Sequence, residues 1–220
     1  MYDVAIYGHL VFDTIFDKGK KVKDFGGIAN VWRSFNYIDP KLEVYVCPTD
    51  IGTAHITLHK EESERDGHSQ LNIHKVDLSI QPAKYNHILY INELDDLEFI
   101  SRLDGINTAD ICAGRELDSI VLPFLDYIFV SHEDKHLLPD LSDYNGVVVY
   151  HSPKRSYTNT GLEYVAKENE YIKGLNVLGA GDFFASCFIY AHMHERKDVD
   201  CLTLSHKLTT RWLKETNEET

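Results

Sequence analysis

The sequence predicts an α/β protein in which a mostly parallel β-sheet is covered on both faces and carries a small β flap. Four apolar runs alternate with helical segments, which is the pattern of βαβ units: His87–Ile91, Ala109–Ala113, Tyr127–Val130 and Gly146–Tyr150. Two further runs between residues 51 and 76 are apolar on one side only, as expected of a flap. With 220 residues, of which 43% are hydrophobic, we expect one domain over 1–220.

The first half of the chain predicts strands and one amphipathic helix. Its expected elements are a buried strand within Tyr2–Val11 that ends at Gly8, a hairpin of Phe12–Phe16 and Lys21–Phe25, a helix over Ile28–Tyr37, a strand over Leu42–Cys47, and flap strands over Ile51–His59 and Gln70–Val76. Pro40 ends the helix, and Pro48 ends the strand that follows it. Segments 12–25 and 51–76 together are expected to form the flap.

The second half predicts helices between the four sheet strands and two more at the C-terminal end. The expected helices are Leu94–Leu103, Leu117–Leu122, Glu133–Leu138, a segment from Asp182 to about Glu195, and Cys201–Glu215. Leu162–Val165 and Tyr171–Ile172 predict a weaker hairpin.

Charge and composition argue against two classes of protein. The formal net charge is −13 and Lys and Arg form no block, which disfavours a nucleic-acid-binding protein. No apolar run has the length of a membrane span, and Asp3 and Asp13 interrupt the early apolar run that a signal peptide would need. We therefore expect a cytoplasmic protein without membrane or nucleic-acid partners.

The stretch Gly179-Ala180-Gly181-Asp182 has the residue types of a phosphoryl-transfer site. It leads into an apolar run with helical spacing, so its backbone amides would lie at a helix N-terminus, where the helix dipole favours anions. An acid beside such amides can accept a proton from a hydroxyl while the amides hold the transferred phosphate. The alternative is a tight turn in which Asp182 is an ordinary N-cap.

The order of the motifs favours the first interpretation. An early strand leads to Asp13, Gly26-Gly27-Ile28-Ala29-Asn30 opens a helix, and the flap and alternating units precede Gly179-Ala180-Gly181-Asp182-Phe183-Phe184. Over most of the chain this order resembles the ribokinase (PfkB-type) carbohydrate kinase family, and the last motif is the most specific part. The resemblance implies a three-layer α/β/α sandwich. The chain is similar to a shortened member, because Leu42–Cys47 runs almost directly into the flap, where the family usually has a further β/α section.

The resemblance implies a kinase that uses ATP and Mg²⁺ to phosphorylate a hydroxyl of a sugar or sugar-like small molecule. Asp182 would be the general base, and the amides of Gly179, Ala180 and Gly181 would form the anion hole for the γ-phosphate. The implied substrate-binding residues are Asp13, Gly26, Gly27 and Asn30. A carboxylate accepts hydrogen bonds from paired hydroxyls, and an amide side chain both donates and accepts them. Two alternatives stay open: Asp13 as a cap of the turn after the first strand, and Asn30 as an early helical polar residue.

Two motifs of the family are altered in this chain. Where the family has Asn-x-x-Glu, which orders Mg²⁺ and phosphate through water, this chain has Ser131 and Asp134, which we assign to the metal through water, with Glu133 as a possible substitute. Where the family has a glycine-rich nucleotide loop, the chain has a stretch without glycine, and we assign nucleotide binding to Ser152 and Lys154. The alternative for Lys154 is a solvated loop cation.

The two altered motifs leave two other functions open. A chain that has lost the donor site would be a sugar- or nucleotide-binding regulatory protein. A nucleoside kinase would apply the same chemistry to another acceptor.

Because the flap would expose its apolar face in a monomer, we also expect a homodimer through the flap.

Overall fold

A single mixed β-sheet organises the chain in the computed structural model, which describes residues 1–17, 19–58, 65–167 and 176–218. The strands within these residues are β1 (Tyr2–Asp17), β2 (Lys20–Gly27), β3 (Val44–Leu58), β4 (Arg65–Lys75), β5 (Ala83–Leu89), β6 (Ile106–Ile111), β7 (Tyr127–Ser131), β8 (Val147–His151), β9 (Arg155–Thr158) and β10 (Glu163–Val165). Their order is β10-β9-β8-β7-β6-β5-β1-β3-β4, with β2 paired to β1. The parallel pairs are β8–β7, β7–β6, β6–β5, β5–β1 and β1–β3. The antiparallel pairs are β10–β9, β9–β8, β3–β4 and β1–β2. The predicted α/β class with a mostly parallel sheet is confirmed.

The α-helices cover one face of the sheet. They are α1 (Ile28–Ile38), α2 (Ala180–Met193) and α3 (Asp198–Glu218). Phe35 of α1 and Phe188 of α2 pack with Ile6 and Phe129 of the sheet in one buried cluster. Apolar positions at helical spacing explain this layer, since each helix buries one stripe against the alternate side chains of the strands.

The opposite face is covered by 3₁₀ helices and loops. The described 3₁₀ helices are Ile91–Glu93, Glu98–Arg102, Ser119–Phe124 and Asp134–Leu137, and their apolar side chains form a second cluster with Ala5, Tyr7 and Ile88. The predicted α-helices over Leu94–Leu103, Leu117–Leu122 and Glu133–Leu138 are therefore wrong in type. Pro123 directly follows the second predicted segment and lies inside the 3₁₀ helix Ser119–Phe124, and Pro139 follows the third segment. Apolar runs this short bury their side chains without completing α-turns.

β1 and β3 pass from the central sheet into the flap, which consists of residues 10–17, β2, residues 51–58 and β4. Residues 2–8 of β1 pair with β5, whereas residues 10–17 pair with β2. The predicted breaks at Gly8 and Pro48 are wrong, because both strands continue beyond these residues. Pro48 pairs with Gly8 directly before a register shift. A proline, which cannot donate to the ladder, is tolerated at such an irregularity.

The flap is apolar on both faces, which differs from the one-sided pattern expected. Its inner face buries Val11, Ala54 and Ile56, and Leu178 before α2 packs against them. Its outer face exposes Phe12, Phe16 and Phe25. Residues of the same chain cover the inner face, because β1 and β3 extend over the loop before α2, which contains Leu178.

The first strand of the weaker predicted hairpin, Leu162–Val165, corresponds to β10. β10 pairs with β9, whereas the expected partner Tyr171–Ile172 lies outside the described residues. In the described part of the chain, no helix combines the length and apolar character that crossing a membrane requires.

Candidate active site

The N-terminus of α2 places Asp182 beside bare backbone. Gly179 adopts the left-handed conformation with φ of 79° and is the N-cap, so the helix begins at Ala180, earlier than expected. Asp182 is the third helical residue. The alternative in which Asp182 is the N-cap is therefore wrong, and its side chain is available to other elements.

The loop before α2 is held by asparagines. The Leu178 amide donates to Asn176 Oδ1 across 3.0 Å, and Asn217 of α3 binds the Asn176 backbone through both its amide and its carbonyl group, at 2.8 and 3.1 Å. Among the predicted anion-hole residues, Ala180 donates its amide to the Val177 carbonyl at 3.0 Å. The Gly181 amide lies in the first helical turn, where helix geometry supplies no acceptor. An anion therefore has a donor at Gly181.

Two side chains from other elements hold the carboxylate of Asp182, which is only 4% exposed. Asn30 Nδ2 of α1 donates to Oδ2 across 3.2 Å, and the Tyr90 hydroxyl donates to Oδ1 across 3.4 Å. Tyr90 follows β5 with a positive φ of 51°, a strained conformation that is frequent at functional sites. Sequence reasoning missed Tyr90, because no local pattern links it to α2.

The β1–β2 hairpin carries three of the predicted substrate-binding residues, Asp13, Gly26 and Gly27. Asp13 lies in the middle of β1, 7% exposed and opposite Asp24, so the turn-cap alternative for Asp13 is wrong. The Asp13 carboxylate occupies the space that a side chain at Gly26 would need. Gly27 is the N-cap of α1 with φ of 62°, and a Cβ there would overlap the His9 carbonyl oxygen. The two glycines thus let the end of β2 approach β1 closely.

A chain of polar contacts joins this hairpin to Asp182. Arg33 of α1 binds Asp24 at 2.6 Å and donates to the Phe25 carbonyl at 2.8 Å. It also donates to Asn30 Oδ1 at 3.3 Å, while Asn30 in turn donates to Asp182. Asn30 is an early helical polar residue, as the alternative interpretation of the sequence expected. It also contacts Asp182, the candidate base. Arg33 was not among the predicted site residues, although its spacing of three from Asn30 places both on one helix face.

The predicted metal residues meet each other after β7. Ser131 Oγ donates to Asp134 Oδ2 at 2.8 Å and accepts from the Asp134 amide at 3.1 Å. No group of three or more His, Cys, Asp or Glu side chains that could hold a metal is found among the described residues. Mg²⁺ often takes most of its ligands from water and substrate phosphates and one from a carboxylate. Asp134 fits that single role.

Asp110 adds a buried carboxyl that the sequence reasoning did not select. It lies near the end of β6 and is 3% exposed. Burial raises its pKa well above the usual range, and the charges of Asp182 and Asp134 raise it further. This environment favours the uncharged form of the Asp110 carboxyl. The sequence feature that could have identified Asp110 is an acidic residue inside an otherwise apolar predicted strand.

The predicted nucleotide residues lie in the turn between β8 and β9. Ser152 Oγ donates to the Arg155 carbonyl at 3.0 Å and accepts from the Arg155 amide at 3.2 Å, so it closes this turn. The Lys154 carbonyl accepts from the Ala166 amide at 2.9 Å.

His151, at the end of β8, lies beside Gly181 of the glycine motif. A Cβ on Gly181 would be 3.4 Å from its ring, which stacks on Phe184 at 5.1 Å. Loss of solvation, aided by His206, lowers the pKa of His151 to about 4. The imidazole beside Gly181 is therefore neutral at pH 7.

No protein-family model and no curated protein matches the sequence, but solved structures match the fold. A sulfate complex of a pyrophosphate-dependent kinase in the ribokinase family is 12% identical with a TM-score of 0.71, covering 96% of this chain and 95% of that one. Ribokinase from Thermotoga maritima is 12% identical with a TM-score of 0.66, covering 98% and 100%. The Methanocaldococcus jannaschii nucleoside kinase is 13% identical with a TM-score of 0.63, covering 100% and 99%. The order of motifs and this likeness agree, and the chain has the fold of the ribokinase family.

Proposed function

We propose that this protein is a small-molecule kinase that transfers a phosphoryl group from a phosphoanhydride donor to a hydroxyl of a sugar or sugar-like acceptor. The observation that carries the proposal is the position of Asp182 in the first turn of α2, beside the Gly181 amide. Side chains from two other elements hold both of its carboxylate oxygens. A base and an anion donor on one helical turn suit a reaction that depends on positioning and charge stabilisation.

Each side chain has a role in this proposal. Asp13 accepts hydrogen bonds from acceptor hydroxyls, and Asn30 keeps Asp182 oriented toward the reacting one. Asp182 removes the proton from that hydroxyl as the hydroxyl oxygen forms a bond to phosphorus. The bond from this phosphorus to the bridging oxygen of the donor breaks, and the rest of the donor leaves with that oxygen. The Gly181 amide stabilises the negative charge on the transferred group.

ATP with Mg²⁺ is the donor pair that the resemblance implies, and a pyrophosphate-dependent kinase shares the fold. Either donor presents a phosphoanhydride to the Gly181 amide. A bound Mg²⁺ would neutralise phosphate oxygens, and Asp134 is the residue that would hold it through water.

The test is a transfer assay with ATP and pyrophosphate as donors and pentoses, hexoses, inositols and nucleosides as acceptors. Asp182→Asn should keep the fold and lose about 10²- to 10⁴-fold in turnover, the usual contribution of a general base. Asp143→Asn, at an exposed position, is the matched control and should keep wild-type turnover. Wild-type turnover in Asp182→Asn would show that the base is assigned wrongly. Sugar binding without transfer from any donor would support the regulatory alternative, and transfer to nucleosides alone would support a nucleoside kinase.

A further inference from the structure

Arg33 of α1 contacts both the β1–β2 hairpin and a residue that binds Asp182. Its guanidinium binds the two carboxylate oxygens of Asp24 in β2, through Nη2 at 2.6 Å and Nη1 at 3.2 Å. Nη1 also donates to the Phe25 carbonyl at 2.8 Å and to Asn30 Oδ1 at 3.3 Å. The planar guanidinium carries several donors in fixed directions, so one side chain can bind the hairpin and Asn30 at the same time.

The amide of Asn30 lies between a group that only donates hydrogen bonds and a group that only accepts them. The Arg33 guanidinium donates to Oδ1, and Nδ2 donates to the ionised carboxylate of Asp182 at 3.2 Å. A turn of the amide by 180° would set its N–H groups against the guanidinium and its oxygen against the carboxylate. Arg33 therefore permits one orientation of this amide, in which the N–H side faces Asp182.

Asp182 lies where its charged form is disfavoured, so a donor on its carboxylate matters. The residue is buried, and the Asp110 carboxyl is close enough for the charge of Asp182 to raise the Asp110 pKa. Burial and a neighbouring carboxyl both favour the protonated form of an acid, and a protonated Asp182 cannot take the proton of an acceptor hydroxyl. The Tyr90 hydroxyl, 3.4 Å from Oδ1, can donate or accept. The Asn30 amide, held by Arg33, can only donate and so favours the ionised form.

The hairpin side of this network leads to the predicted acceptor site. Asp24 is opposite Asp13 in the β1–β2 register, and Phe25 is followed by Gly26, where a Cβ would overlap the Asp13 carboxylate. The side chains of Arg33 and Asp24 are 42% and 47% exposed, and exposed ion pairs contribute little to stability. The contacts of Arg33 therefore matter for the arrangement of the site more than for the stability of the fold.

We propose that Arg33 is a positioning residue for Asp182 and that contact between the β1–β2 hairpin and α1 prepares this base. The inference rests on the proposed kinase function and adds the way in which the acceptor side of the site controls proton removal. While Asp24 holds Arg33, Arg33 fixes the Asn30 amide, which presents its N–H to the carboxylate. When the contact with Asp24 is lost, Arg33 leaves Oδ1, the amide can turn, and its oxygen can accept from a protonated Asp182. The base is then occupied by a proton, and transfer slows.

The kinetic test removes the guanidinium and keeps a straight side chain, in Arg33→Met. We expect kcat with the best acceptor to fall about tenfold at pH 7, the usual size of a hydrogen bond to a charged group, and the acidic limb of kcat against pH to move up by about one pH unit. Asp24→Asn, which releases Arg33, should act in the same direction. Arg102→Met changes an exposed arginine of the 3₁₀ helix Glu98–Arg102, and this matched control should keep wild-type values. An unchanged kcat or an unmoved acidic limb in Arg33→Met would overturn the proposal, and wild-type kcat in Asp24→Asn would overturn the part assigned to the hairpin.

A double variant separates this role from a purely structural one. If Arg33 acts through Asn30, Arg33→Met should lower kcat no further in the Asn30→Ala protein. If Arg33 only braces the hairpin that carries Asp13, Arg33→Met should raise KM for the acceptor and should change kcat by the same factor with or without Asn30→Ala. That second pattern would overturn the proposal. Urea denaturation should show nearly equal stability for Arg33→Met and the wild type, since the ion pair is exposed.

Titration of Asp182 by carbon-13 NMR, without substrates or metal, separates this proposal from the proposed function. The spectrum of Asp182→Asn identifies the carboxyl signal, which should titrate at higher pH in Arg33→Met and at the wild-type pH in Arg102→Met. If this shift occurs but no acceptor is phosphorylated, the positioning role of Arg33 stands and the kinase function fails. If transfer depends on Asp182 while Arg33→Met leaves the titration unchanged, the kinase function stands and the positioning role is overturned. The absence of both transfer and shift overturns both.

Discussion

Asn30 Nδ2 donates a hydrogen bond to Asp182 Oδ2 across 3.2 Å, joining the first turns of α1 and α2. The two residues are 152 positions apart. Through Arg33, the same asparagine is linked to Asp24 of the flap hairpin. The orientation of the candidate base is therefore connected to the hairpin that carries Asp13, so in the proposed function acceptor binding and proton removal would share one supporting network.

The first prediction concerns this asparagine. Asn30→Ala removes a donor that orients the Asp182 carboxylate, and a misplaced base should lower kcat by about 10- to 100-fold. Steady-state kinetics with the best acceptor measures the effect, and circular dichroism checks the fold. Asn36→Ala changes the same residue type at an exposed position of α1 and should keep wild-type kcat. An equal loss in both variants would mean that damage to α1, rather than the contact with Asp182, is the cause.

The second prediction concerns Gly27, the N-cap of α1. Gly27→Ala combines a positive φ of 62° with overlap of the His9 carbonyl oxygen, so it should lower the free energy of unfolding by about 3 kcal/mol or more. Gly19→Ala is the control, because Gly19 also has a positive φ, 78°, but a Cβ there meets nothing within 4 Å. It should cost only about 1 kcal/mol. Urea denaturation measures both. Equal losses would show that backbone strain alone, and not close approach to β1, requires glycine at position 27.

The third prediction is a loss of stability in mild acid. His87 is fully buried, and burial lowers its pKa from 6.5 to about 3. Between these values the unfolded chain binds a proton at His87 and the folded chain does not, so falling pH favours unfolding. At pH 5 this difference amounts to about 2 kcal/mol relative to pH 7.

Urea denaturation at pH 7 and pH 5 measures this effect. His87→Gln removes the titrating group, so the free energy of unfolding should fall less between the two pH values than in the wild type. His136→Gln, at an exposed position, should keep the wild-type pH dependence. The same fall in all three proteins would contradict the assignment to His87.

The fourth prediction concerns the outer face of the flap. Phe12 and Phe25 are 46% and 45% exposed, and their rings lie 4.9 Å apart. We propose that a second copy covers them, so light scattering should detect a dimer for the wild type and a monomer for Phe25→Asp. Ile120→Asp is the control, since Ile120 is 66% exposed on a 3₁₀ helix outside the flap, and it should remain a dimer. A monomeric wild type at all concentrations would contradict the homodimer.

The sequence alone determined the class of the fold and the centre of the candidate site. Apolar runs located the strands β5 to β8, because a parallel strand buried on both faces needs an uninterrupted apolar stretch. The motif at Gly179–Asp182 located an acid beside a helix N-terminus, because glycine and a following apolar run are local signals. Local pattern was a weaker guide to element type, and the 3₁₀ helices were expected to be α-helices.

Only the tertiary structure decided which distant residues act together. The contacts of Asn30 and Tyr90 with Asp182, the position of Asp110, and the placement of His151 beside Gly181 all join separate elements. Periodicity specifies which face of an element is buried, but it does not specify what meets that face. The order of the strands in the sheet, and the continuation of β1 and β3 into the flap, determine which elements contact each other. For this reason the sequence predicted the glycine motif with its acid, while the three-dimensional arrangement decided which side chains surround that acid.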